Sequence, residues 1–283
     1  PDTAQTSRDD ADAGYFVSST GQLSQTACST GTFQPDTGQQ SCDNAGRGYY
    51  VDTTASTSET ECAVGTYQPD YGQSSCLDAD AGYYVDETAQ QSQTACAAGT
   101  YQPDTAQTSC DDADAGYYVD STGSDSQTEC GLGTYQPDTA QTSCLDADAG
   151  NYVHDTAQQS QIVCDYGTYQ PDTGQTYCLD ADVGHYVDDL ESISQTACSA
   201  GTYQASTGQI SCDDADAGNF VGSLGQSEQI ECSLGTYQPY IGQSSCNDAG
   251  LGYYVESVGA TFQIPADSGH YVGSTGESFQ TEC

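Results

Sequence analysis

The sequence predicts a small, disulfide-rich all-β fold: an elongated tandem array of short β-hairpins on a 34-residue repeat made of two 17-residue halves. Three observations predict it. Fourteen cysteines from Cys28 to Cys246 alternate a shorter separation, as from Cys28 to Cys42, with a longer one, as from Cys42 to Cys62, without a slip. Glycine recurs at a constant interval of half a repeat, as Gly14, Gly31, Gly48 and onward through Gly269, and two positions after each comes an aromatic, from Phe16 and Phe33 to Tyr254 and Tyr271. The chain of 283 residues holds only 33 Leu, Ile, Val and Phe against a net charge of −40, which would leave it disordered without another source of order. Internal periodicity, fifteen cysteines and 22 tyrosines supply that source.

The glycines open sixteen half-units. Residues 1–13 read as a partial repeat, 14–251 as seven 34-residue tandem repeats, and 252–283 as an irregular terminal repeat lacking one B half. Half-units alternate between an A type, as in Gly116 to Cys130 (GYYVDSTGSDSQTEC), and a B type, as in Gly99 to Cys110 (GTYQPDTAQTSC). Each reads as a hairpin: a Tyr- or Thr-rich run enters a Pro/Asp/Ser/Thr/Gly turn, and a Gln/Ser/Thr run returns toward cysteine. The residue just after the glycine varies in A units (Tyr117, Asn151, His185) and is placed outward; strand alternation then points the next aromatic inward. A single repeat cannot offset its own ordering entropy, so neighbours must stack.

Two cysteine pairings compete. Pairing across the shorter separation joins Cys28 with Cys42, Cys62 with Cys76, Cys96 with Cys110, Cys130 with Cys144, Cys164 with Cys178, Cys198 with Cys212 and Cys232 with Cys246. It leaves only Cys283, whose partner is expected beyond the chain end. Pairing across the longer separation, Cys42 with Cys62 and onward, strands Cys28 opposite Arg8 and Cys246 opposite Ala266. The irregularities favour the first scheme. A ladder of this kind implies an oxidising, extracellular or cell-surface setting, and the absence of close C-x-x-C pairs speaks against thiolate zinc sites and redox catalysis.

Two arginines and no lysine exclude a basic patch for nucleic acid or an anionic membrane. No apolar stretch reaches the length of a membrane span, and no signal peptide is visible; the chain opens and stops inside repeats, as expected of a window of a longer polypeptide. His154, His185 and His270 fall in different registers, and no phosphate loop, metal-histidine motif or nucleophile elbow occurs, so no enzyme is expected.

The acidic D-x-D-x-G element recurs as Asp78/Asp80, Asp112/Asp114, Asp146/Asp148, Asp180/Asp182 and Asp214/Asp216, each pair before a glycine. Two readings stand: the paired carboxylates share Ca²⁺ as hard oxygen ligands, or they are solvated turn residues capping local backbone N–H groups. No cofactor is required, and Ca²⁺ is the ion the pairs would take. Thr37, Thr54, Thr88, Thr105, Thr122, Thr139, Thr156 and Thr173 stand seventh in their half-units, at the expected turn tips. They are candidate O-glycan sites or plain turn residues; no asparagine heads an N-glycosylation sequon. Tyr15, Tyr49, Tyr83, Tyr117 and Tyr253 form an outward stripe, read either as a lateral contact surface or as a solvated face.

The segment Cys96 to Cys110 (CAAGTYQPDTAQTSC) and its counterparts resemble the ephrin-receptor-like cysteine-rich repeat, related to tumour-necrosis-factor-receptor-like modules. That family usually carries further cysteines, where Ala79 and Val85 stand here, so its second disulfide is absent and ligand binding does not carry over. The resemblance implies an extracellular, elongated, disulfide-laddered stalk. The acidic arrays also resemble long repetitive surface proteins of aquatic microorganisms, which implies a structural role. The expected function is therefore a self-associating subunit of an extracellular filament or cell-surface fibre, a homo-oligomer stabilised by cations and carrying glycans. The alternative is an adhesion or receptor-like ectodomain stalk that binds a protein or carbohydrate ligand.

Overall fold

A computed structural model describes residues 10–19, 22 and 24–283. Among them there is no helix; sixteen two-stranded antiparallel hairpins follow one another in chain order. The chain divides into two compact units, Pro1–Cys130 with Gln136–Cys144, and Gly131–Tyr135 with Leu145–Cys283. Arg8, which stands in place of a cysteine, lies outside the described residues.

Counting each half-unit from its glycine as position 1, position 2 faces position 14 and position 3 faces position 13. In an A half these pairs are Tyr117↔Glu129 and Tyr118↔Thr128; in a B half they are Thr100↔Asp112 and Tyr101↔Asp111. The N–H of position 15 closes the hairpin on the glycine carbonyl, Cys130 to Gly116 at 2.9 Å and Ala113 to Gly99 at 2.9 Å. This corrects one expectation. The return strand of a B hairpin lies after its cysteine, so the first aspartate of D-x-D-x-G is itself a strand residue.

Such short strands leave most backbone polar groups to be paired elsewhere, and neighbouring hairpins pair them. In the first unit the N–H groups of Gly82 and Val85 donate to the carbonyls of Gln102 (2.8 Å) and Gln107 (3.0 Å) in the next hairpin. The Gly123 N–H, at position 8, reaches back two hairpins to the Cys96 carbonyl (2.8 Å). The second unit repeats the pattern with Gly184 to Gln204 (2.7 Å), Val187 to Gln209 (2.9 Å) and Gly225 to Cys198 (2.8 Å). Position 8 takes a left-handed conformation, as at Ala106 (φ 60°) and Gly123 (φ 73°), which turns its amide toward the earlier hairpin.

Stacking of this kind brings backbone against backbone. A Cβ at Gly82 would overlap the carbonyl oxygen of Gly123, and Gly82 itself sits at φ 82°, a region that side-chain-bearing residues avoid. The space between hairpins therefore admits only small or slender groups. The buried positions are Val85 and its A-half equivalents at position 4, Gln102 and its B-half equivalents at the same position, and Ala79 or Cys96 at position 15.

The aromatics do not form the interior that the alternation suggested. Tyr84, Tyr101 and Tyr118 at position 3 are only half-buried, and Tyr271 is 54% exposed, because a phenol ring is too large for a gap set by touching backbones. Position 2 is outward only at Tyr253, 40% exposed. Tyr15, Tyr49, Tyr83 and Tyr117 are half-buried, Asn151 is fully buried, and the Tyr83 ring lies against Gly123 at the tip two hairpins on. Where that tip residue is Glu191 instead of glycine or alanine, the smaller Asn151 replaces tyrosine and its Nδ2 donates to Glu191 Oε1 (3.0 Å).

The buried glutamine is the turn-builder of B hairpins. Gln102 Nε2 donates to the Ser109 carbonyl (2.9 Å), and its Oε1 accepts from the Asp104 N–H (3.1 Å), so one side chain spans the loop. Six other B hairpins place glutamine identically, from Gln34 to Gln238. Replacing Gln102 by leucine should lower stability by up to about 3 kcal/mol in urea unfolding, because both backbone groups lose their partner. Gly82→Ala should cost at least about 1–2 kcal/mol from its backbone conformation alone, before the overlap with Gly123 adds to it. Gly131→Ala, where a Cβ meets nothing within 4 Å, should leave the unfolding midpoint unchanged.

Candidate functional surface

The seven cystines join Cys28–Cys42, Cys62–Cys76, Cys96–Cys110, Cys130–Cys144, Cys164–Cys178, Cys198–Cys212 and Cys232–Cys246, with Cα separations of 5.7–5.8 Å. Each links position 15 of an A hairpin to position 12 of the following B hairpin. They staple consecutive hairpins together rather than cross-bracing one B hairpin. Cys283 carries a free, exposed thiol.

At the alternate junctions, from B to A, the same two positions hold Ala and Gln, or Glu in the one case of Glu59, and a polar clip replaces the cystine. The Asp114 N–H donates to Gln127 Oε1 (2.7 Å), and Gln127 Nε2 donates to Asp114 Oδ2 (2.7 Å). Asp80 with Gln93, Asp148 with Gln161, Asp182 with Gln195 and Asp216 with Gln229 do the same across 13 residues. Where glycine stands in place of the aspartate, the clip keeps one bond: Gly46 N–H to Glu59 Oε2 and Gly250 N–H to Gln263 Oε1, both 2.6 Å. The chain thus alternates covalent and hydrogen-bonded staples.

This arrangement places the two aspartates of each D-x-D-x-G in different roles. Ala79, Ala113, Ala147, Ala181 and Ala215 between them are buried. The second aspartates (Asp80, Asp114, Asp148, Asp182, Asp216) bond a glutamine side chain 13 residues on, not the local amides expected of a turn cap. The first (Asp78, Asp112, Asp146, Asp180, Asp214) are exposed strand residues, and Asp146, Asp180 and Asp214 lean against Gly174, Gly208 and Gly242 at the next B tip. Among the described residues no three His, Cys, Asp or Glu side chains group as metal ligands.

The eight threonines at position 7 (Thr37, Thr54, Thr88, Thr105, Thr122, Thr139, Thr156, Thr173) are all exposed at hairpin tips. The 51–60 tip adds Thr53, Ser56, Thr57, Ser58 and Thr60 around a hydroxyl-lined hollow. Charges along the surface are overwhelmingly negative; Arg47 is held over the Tyr71 ring at 5.2 Å. Burial first, then the carboxylates of Asp114 and Asp111, hold the Tyr101 phenol above its usual 10.0. His154 is exposed, with Nε2 3.1 Å from Asp155 Oδ2. Among the described residues no helix is long and apolar enough to cross a membrane.

Sequence reasoning missed the clips and the buried glutamines. The signal was available: laid on the half-repeat period, Gln93, Gln127, Gln161, Gln195 and Gln229 occupy the slot that Cys76, Cys110, Cys144, Cys178 and Cys212 fill in the other half.

The family described as tyrosine-protein kinase ephrin type A/B receptor-like matches residues 14–62. No curated protein matches the chain. The matched span covers three half-units and the Cys28–Cys42 staple, and the same hairpin and staple recur through Cys232–Cys246. The chain is therefore a cysteine-rich repeat array.

Because both kinds of junction use the same backbone bonds, Ala79→Cys/Gln93→Cys should form an eighth cystine, detectable by non-reducing peptide mapping. It should raise the unfolding midpoint, since closing a 15-residue loop is worth roughly 3 kcal/mol and the lost clip returns only part of that. Absence of the cross-link would mean that the two junctions are not geometrically equivalent.

Proposed function

We propose that this chain is a non-enzymatic structural subunit of an extracellular filament or cell-surface fibre, in which it associates with its own kind. The supporting observation is uniformity. Hairpin after hairpin uses the same closing bond, the same bonds to its neighbours and one of two staples, as suits a shaft built of equivalent units. Stiffness in such an array comes from backbone hydrogen bonds and cystines, which suits a load-bearing shaft outside the cell. The exposed first aspartates would meet divalent cations, and the hydroxyl-bearing tips from Thr37 to Thr173 would carry O-linked sugars.

A second reading, an adhesion or receptor-like ectodomain stalk for a protein or carbohydrate ligand, is favoured by the receptor family that residues 14–62 match. Electron microscopy of native material, before and after a chelator, separates the two. Long uniform filaments are the expected result, with their loss on chelation assigning the carboxylates a bridging cation. Isolated particles one chain long would sink the filament reading in favour of the stalk.

A further inference from the structure

We propose that a second copy of this chain docks side by side on an apolar ridge formed by the A-hairpin tips of the second unit; this rests on the self-associating reading above and names its contact surface. The ridge consists of Leu190, Leu224 and Val258 at position 7, with Ile193 and Phe262 in the same loops. They are 47%, 67%, 56%, 58% and 67% exposed, respectively.

These residues break a pattern. Position 7 of the other described A tips is Thr54, Thr88, Thr122, Thr156 and Thr275, all exposed, whereas three successive tips carry Leu190, Leu224 and Val258. Nothing in the stacking demands it, because the neighbouring position 8 makes the same backbone bond in either case. Glu191, Gly225 and Gly259 donate to the carbonyls of Cys164 (2.9 Å), Cys198 (2.8 Å) and Cys232 (2.8 Å), each two hairpins back. The three tips therefore occupy equivalent places on successive A hairpins, one 34-residue repeat apart.

Area and repeat spacing identify the occupant. The five side chains together leave on the order of 500 Å² of apolar surface in water. A standard interface takes about 800 Å² per partner, so the ridge supports a weak contact that gains strength by repetition, not an obligate dimer. A row of apolar points at the repeat spacing is matched by another row at that spacing, which a second copy presents. Two copies related by a two-fold axis would set Leu224 against Leu224 and Leu190 against Val258.

The same three hairpins carry Asp188, Asp189, Glu191, Glu228 and Glu256 and no lysine or arginine. Docking of like on like therefore strengthens as salt screens the carboxylates over about 8 Å, whereas docking of a basic partner would weaken.

The test is sedimentation of the 283-residue chain with Cys283→Ser, across protein concentration and added NaCl. Self-association that strengthens with salt is expected, and Leu190→Thr/Leu224→Thr/Val258→Thr should weaken it at least about tenfold. Threonine already stands at the equivalent tips, so this variant should match the parent in circular dichroism and thermal midpoint. As an independent check, Leu224→Cys in the same background should give a dimer cross-linked at position 224 on mild oxidation. Unchanged association of the triple variant, with no cross-link at 224, would overturn the ridge while leaving self-association intact. A parent chain that stays monomeric at every salt concentration would overturn both.

Discussion

Backbone packed directly on backbone is the constraint from which the rest of the structure follows. The tip carbonyl at position 8 sits over the glycine that opens the hairpin two half-units earlier, leaving no room for a Cβ. The strict half-repeat spacing of glycine, the left-handed tip and the restriction of position 15 to alanine or cysteine are consequences of that approach. It also explains how so little aliphatic material suffices. The interior is mostly hydrogen-bonded backbone, sealed by one valine or one glutamine per hairpin, so the hydrophobic effect contributes less here than in a globular domain.

Two kinds of staple divide the load. A cystine restricts the unfolded chain as well as holding the folded one, while an Asp–Gln clip contributes only when the hairpins are already in place. Alternation means that each hairpin from Gly31 to Gly235 is covalently tied on one side and hydrogen-bonded on the other; the Gly252 hairpin, between the Gln263 and Gln280 clips, is hydrogen-bonded on both. The exceptions at Glu59 and Gln263 show which part of the clip is indispensable to the arrangement: the acceptor for a backbone N–H survives even where the aspartate is replaced by glycine.

Tips and core are uncoupled by this design. Position 8 is held by its backbone, so position 7 beside it is free to be threonine, leucine, valine or tyrosine without disturbing the stack. Surface chemistry can therefore drift along the array, hydroxyl-rich at one set of tips and aliphatic at another, over an unvarying frame. A repeat protein that acts through its surface, by contact with its own kind or with cations and sugars, gains from such freedom; an enzyme, which needs a single preorganised constellation, does not.

By itself the sequence determined the hairpin class, the 34-residue period and its halves, and the preference for cystines across the shorter cysteine separation, because covalent spacing and turn glycines are local and periodic. What only the tertiary structure decided is which residues lie inside. Alternation along a strand suggested that Tyr84 or Tyr101 points into a core, yet the core belongs to Val85, Gln102, Ala79 and Cys96. Strand alternation assigns faces, but it cannot report how closely two hairpins approach, and at backbone contact distance a tyrosine does not fit where a valine does. The same limit hid the second aspartate's partner: Asp114 and Gln127 are 13 residues apart, and only the stacking of consecutive hairpins brings them into one hydrogen-bonded clip.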